Sequence, residues 1–152
     1  MAQSRDPERA GRTARASVQR SFRLSSRTLE LLGERAAETS ESRNGLAERL
    51  LDEGLRIDRH PLIRFRTGGS GLRRPALVAT RLYIWHVIDT LRDHHGDVSA
   101  TADYLDLSDA LVRAAIDYYA DFTDEIDAYR AEELEFAERE RKRSERARQV
   151  LG

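Results

Sequence analysis

Residues 18 to 25 read Val-Gln-Arg-Ser-Phe-Arg-Leu-Ser. On an extended chain this alternation puts Val18, Phe22 and Leu24 on one face with Arg20, and Gln19, Ser21 and Arg23 on the other. The apolar face must be covered, while the polar face is displayed. A strand this short also needs a ladder partner, and a two-stranded ribbon is marginal without helices beneath it. Two copies of the chain that pair this segment would satisfy both needs, provided helices follow.

Helices do follow in the pattern. Leu29, Leu32 and Ala36 recur at i, i+3 and i+7 with Leu31 and Ala37 flanking, which predicts an amphipathic helix over 26–39, started by Ser25 or Ser26. After the polar break at 40–43, a second helix is expected from about 44 to 56, with Leu46, Leu50, Leu51 and Leu55 on one side. Leu62 to Arg66, a Gly-rich turn over 67–71 and Pro75 to Val78 then predict a β-hairpin. Tyr83, Ile84, Val87, Ile88 and Leu91 mark a helix over 82–92, ended by His94-His95-Gly96. Three more helices are expected over 99–104, 108–119 and from 123 onward, with Ser108 and Thr123 as N-caps. The fold class is thus mainly α with short β. It divides into a disordered basic arm (1–16), a strand-helix-helix unit (17–59), a hairpin-plus-helices domain (60–130) and a charged C-terminal helix or tail (131–152).

Charge is segregated. The formal net charge of −1 conceals +5 over residues 1–27, −11 over 96–138 and +4 over 139–152. The front of the chain should attract a polyanion and the acidic stretch should repel one. With 39% hydrophobic and 35% charged residues, small cores and oligomers are expected. No apolar run of about 18 residues is present to span a bilayer. The first residues lack the apolar stretch of a secretory signal, so the expected compartment is the cytoplasm, with no membrane partner. The absence of cysteine removes disulfides and thiolate chemistry.

Strand, helix, helix in about forty residues (17–59) resembles the ribbon-helix-helix repressors of the Arc and MetJ type, which include many VapB-type antitoxins. The resemblance implies an intertwined homodimer whose ribbon enters the major groove of operator DNA. Carried over by position, Gln19, Ser21 and Arg23 read bases, a role their chemistry suits: Arg can pair bidentately with guanine, Gln with adenine, and Ser with either. Ser42, Arg43, Asn44 and Gly45 correspond to the phosphate anchor, where free N–H groups and the positive dipole end attract a phosphate. Taken singly, Gln, Ser and Arg are ordinary on any solvated strand face.

Pro75 to Trp85, Asp97 to Tyr104 and Leu111 to Tyr119 resemble a bacterial family of winged-helix-like domains of formerly unknown function, with Thr80-Arg81 and Trp85 as the most recognisable cluster. This chain has Ala79 where that family more usually shows Gly. The resemblance implies an antitoxin that neutralises a PIN-like ribonuclease toxin. The helix-turn-helix-like segment offers Ser108, Asp109, Arg113 and Asp117, mostly acidic where groove entry needs donors, so protein contact is its expected use. In the tail, Arg139, Arg141, Arg143, Arg146 and Arg148 are candidates to neutralise a toxin's carboxylate cluster. A solvated helix with i, i+4 pairs such as Glu135 to Arg139 is equally compatible.

Catalysis finds little support. The four histidines miss the zinc-protease spacing, no phosphate loop or nucleophile elbow occurs, and Gly68-Gly69-Ser70-Gly71 lacks the Lys-Ser/Thr of a nucleotide loop. The expectation is a non-enzymatic, metal-free and cofactor-free antitoxin that also represses its own operator. A stand-alone regulator whose second domain mediates oligomerisation is the alternative.

Overall fold

The computed structural model describes residues 18–151, Leu151 by its backbone alone; the expected basic arm and Ser17 lie outside the described residues. In chain order the elements are α1 (Ser26–Thr39), α2 (Arg43–Arg59), β1 (Ile63–Thr67), β2 (Arg73–Leu77), α3 (Ile84–Asp93), α4 (Val98–Leu105), α5 (Asp109–Asp121) and α6 (Thr123–Leu151). The protein is mainly helical with one small antiparallel sheet. The described residues up to Arg43 form one compact unit and those from Asn44 onward another.

In the first unit, residues 18–24 are neither helix nor strand and all are exposed. The expected strand has no partner within a single chain, because the described sheet contains β1 and β2 alone. Ser25 is the N-cap of α1: its Oγ accepts from the Thr28 N–H at 3.1 Å, satisfying one of the helix's orphan donors. Ser40 closes the helix in the left-handed region at φ 58°. Only Ala36 of α1 is buried.

The second unit is built around Ile63 and Leu77 of the hairpin, Ile84, Val87 and Ile88 of α3, Ala102 of α4, Val112, Ala115 and Tyr118 of α5, and Ile126 of α6. Ile63 lies opposite Leu77 in the antiparallel register, so both reach the core from the same sheet face. Gly71 takes φ +77° in the hairpin turn, and a Cβ on Gly68 would stand 2.9 Å from the Tyr83 hydroxyl. In α3, Ile84, Val87 and Ile88 at i, i+3 and i+4 form the buried stripe, as their spacing predicts.

One helix start and one N-cap differ from the sequence expectation. Asp97 caps α4 by accepting from the Ala100 N–H at 2.9 Å, so the helix begins at Val98, ahead of Ser99. Thr123 is inside α6, and its hydroxyl donates to the Tyr119 carbonyl at 2.8 Å instead of capping the helix. Ser108 does cap α5, accepting from the Leu111 N–H.

Candidate nucleic-acid interface

Gln19, Ser21 and Arg23 are all exposed. Val18, Phe22 and Leu24 on the alternate positions are 65%, 74% and 50% exposed, so the apolar face is largely uncovered among the described residues. Among the described residues, neither Arg20 nor Arg23 has a carboxylate within the 4.0 Å of an ion pair. Ser42 precedes α2, and Arg43, Asn44 and Gly45 form its first turn, which carries no acidic residue.

Helix α2 carries the main departure from the periodicity argument. Its buried residues are Leu46, Glu53 and Arg56, whereas Leu50, Leu51 and Leu55 are 46%, 55% and 65% exposed. Of the four leucines expected on one side, Leu46 is buried while Leu50, Leu51 and Leu55 face outward, and the charged Glu53 and Arg56 pack inward. The Arg56 guanidinium forms a two-pronged pair with Glu125, one contact at 3.1 Å, and also reaches Asp52 at 3.0 Å and the Tyr118 hydroxyl at 3.2 Å. It lies 4.4 Å from the Phe122 ring centroid. Burial alone would lower the Arg56 pKa, but the hydrogen bonds it donates to Glu125 and Tyr118 outweigh it and raise the value, so the group stays charged. Burial pushes Tyr118 up to about 12, against the opposing effect of Arg56. One turn earlier, Glu53 accepts two bonds from Arg73 of β2 at 2.6 and 2.8 Å.

Further charges fasten α6 to the rest of the unit. Arg74 pairs with Glu132 and lies 3.9 Å from the Tyr129 centroid, and Arg130 bonds both oxygens of Asp89 at 2.7 Å. His60 meets Asp121 at 2.9 Å and packs edge-on to Tyr118. Beside it, Leu62, Ile63, Ala110 and Ala114 line a shallow groove of about 380 Å³, with Arg113 and Asp117 at its polar side. Sequence periodicity missed this entire charged layer. Its one visible signal was Glu53 and Arg56 standing at i and i+3 on an otherwise leucine-bearing helix.

Helices α4 and α5, joined by Asp106-Leu107-Ser108, pack on each other in helix-turn-helix order. Ser108, Asp109, Arg113 and Asp117 are exposed on α5. The tail is helical and exposed throughout 139–150. Arg141 bonds Glu138 at 2.9 and 3.0 Å and Glu145 at 3.0 Å, which holds the Glu138 carboxyl below its usual range. Arg143 lies 3.8 Å from Glu140, and Arg148 reaches Ser144 at 3.4 Å. The expected Glu135 to Arg139 pair is not among the described ion pairs; Glu138 collects Arg141 and Lys142 instead. Arg139 and Arg146 have no carboxylate within 4.0 Å among the described residues.

Among the described residues no three His, Asp or Glu side chains gather in metal-binding geometry, and no helix is long and apolar enough to cross a membrane. No family model matches the chain, and no curated protein or solved structure matches it.

Proposed function

We propose that the chain is a dimeric DNA-binding antitoxin: residues 18–25 pair with the same segment of a second copy, and the ribbon presents Gln19, Ser21 and Arg23 to base edges in the major groove. The observation that carries this reading is that residues 18–24 are all exposed, with Gln19, Ser21 and Arg23 alternating with Val18, Phe22 and Leu24 just ahead of a capped helix. Val18, Phe22, Leu24, Leu29 and Leu31 are each about half exposed or more. Covering them should stabilise an assembly by on the order of 1–2 kcal/mol each. Two copies bring ten such side chains, on the order of 10–20 kcal/mol, enough to offset the entropic cost of association of about 4–15 kcal/mol. The first turn of α2 carries no acidic residue of its own, which is compatible with the phosphate-anchoring role assigned to Ser42, Arg43, Asn44 and Gly45.

In this reading the C-terminal half holds a PIN-like ribonuclease toxin. Arg139 and Arg146 are the tail guanidiniums best able to reach a carboxylate cluster, because Arg141 and Arg143 already meet acids of their own helix. That same self-pairing favours a second reading, a stand-alone regulator without a toxin, since a helix that satisfies its own charges needs no partner.

Arg23→Ala tests the DNA role. Losing one bidentate base contact should weaken binding to a duplex selected from a random pool by about 1–3 kcal/mol, roughly 5- to 150-fold, and relax its sequence preference. Unchanged affinity and preference would refute it. Truncation before Arg139 that leaves inhibition of a co-purifying nuclease intact would refute the tail's role and favour the lone regulator.

A further inference from the structure

A second cluster of uncompensated positive charge sits on the hairpin. The register places Arg66 opposite Arg74 and Arg64 opposite Ala76, so three guanidinium side chains leave one face of a two-stranded sheet. Like charges in such positions repel, and Arg74 escapes by pairing with Glu132 over the Tyr129 ring. Arg64 and Arg66 do not. Both donate to the Thr80 carbonyl, at 3.0 and 3.4 Å, and Arg66 lies 5.8 Å from the Tyr83 centroid. Arg81, exposed, follows Thr80 directly.

The contrast with the rest of this unit is sharp. Of the eleven arginines between residues 44 and 138, seven lie within 4.0 Å of a carboxylate. Three of the four that have none among the described residues are Arg64, Arg66 and Arg81. They stand together in a unit whose 96–138 stretch carries −11, so acids are plentiful and are placed elsewhere. A shared carbonyl fixes two of the guanidiniums side by side. Each has five N–H donors and spends one on Thr80, leaving the rest of the fork for an anion.

We propose that this face of the hairpin, with the turn at 79–82, is a second phosphate-binding surface, sequence-independent and distinct from residues 18–25, for the backbone of duplex DNA. Planar guanidinium forks match phosphate oxygens bidentately, and a groove-side backbone offers them in series. An acidic protein is the competing partner, but the large side chain between the two arginines, Phe65, belongs to the opposite sheet face. Without an apolar anchor, such a surface lacks what dominates protein–protein interfaces. The inference takes the identity of its partner from the DNA-binding reading, while its geometry stands apart from it.

The test measures binding of the full chain to a random duplex of about 20 base pairs between about 50 and 200 mM salt, where each lost phosphate contact lowers the slope of log K against log salt by about 0.9. Arg64→Gln/Arg66→Gln/Arg81→Gln should lower it by up to about 2.7, and Arg81→Gln alone, which leaves the Thr80 bonds intact, by about 0.9. Arg64→Lys/Arg66→Lys should keep most of the slope. Wild-type slopes in both glutamine variants would overturn the inference, and would leave the ribbon reading standing if Arg23→Ala still weakens binding to a selected duplex. Reduced slopes with Arg23→Ala inert would support the hairpin surface and sink the ribbon. Failure of the wild-type chain to bind any duplex at the lowest salt, or displacement of DNA by polyglutamate with equal dependence on the hairpin arginines, would also overturn it, the latter in favour of an acidic protein partner.

Discussion

Arg56→Met should destabilise the second unit more than any single leucine change on the exposed side of α2. The substitution keeps an unbranched apolar side chain but removes the guanidinium that lies over Phe122 and bonds Glu125, Asp52 and Tyr118. Breaking a buried pair by deleting one partner costs about 3–5 kcal/mol, because the other charge stays desolvated. Glu125 retains 19% side-chain exposure and Asp52 51%, so both can partly rehydrate and the low end, about 3 kcal/mol, applies. Tyr118 is fully buried and loses a hydrogen-bond partner at the same time. With a urea slope of about 1.5 kcal/mol per molar, the unfolding midpoint should fall by about 2 M. A double-mutant cycle with Glu125→Gln should return a coupling energy of about 1–3 kcal/mol. A midpoint within about 0.3 M of wild type, or simple additivity in the cycle, would refute the argument that α2 is held by its charges.

Two further expectations concern the turn and the core of the same unit. Ala79 sits at φ +57°, a left-handed conformation that costs a Cβ-bearing residue about 1–2 kcal/mol, so Ala79→Gly should stabilise the protein by about 0.5–1 kcal/mol and raise Tm by about 2–4 °C; a lower Tm would contradict this. Burial pulls the His86 pKa below its ordinary 6.5, against the weaker effects of Asp89 and Glu133. The unfolded chain therefore takes up that proton first, and stability should be full above pH 6.5 and decline as pH falls below it. Urea midpoints at about pH 7.5 and 5.5 should differ in wild type and differ less in His86→Gln; equal differences would exclude His86 as the source.

What the sequence revealed follows from how local each signal was. The boundaries of α1, the Ser25 and Ser108 caps and the hairpin turn depend on residues within a few positions of one another, and all were legible. The orientation of α2 was not. Periodicity assigns a leucine face to the chain's own core, yet Leu51 and Leu55 are left outside while Arg56 is buried by a carboxylate 69 residues away. No local pattern encodes that pairing. The start of α4 was placed one residue late because Asp97 caps as well as Ser does, and the cap role of Thr123 failed because a threonine hydroxyl can serve the preceding turn instead of its own. At the candidate interface, the sequence singled out Gln19, Ser21 and Arg23, whose side chains are exposed, but it offered no sign that Arg64, Arg66 and Arg81 would be left without acids.

The account turns on residues 18–25 of two copies lying side by side in opposite directions. Because the chain has no cysteine, single-cysteine variants through this segment report that pairing without background. Opposite residues share a face, so a ribbon that keeps its polar side intact is centred on a residue; if that residue is Ser21, a cysteine there lies opposite its counterpart, with Cα atoms within about 4.4–6.8 Å and Cβ atoms on the same face. A cysteine at Val18 or Ser25 is separated from its counterpart by about seven residues, roughly 23 Å at the rise of a strand. Mild oxidation should therefore give covalent dimers with a sharp maximum at position 21, suppressed by dilution with urea. A flat profile across the segment, or no dimer at any position, would contradict the account.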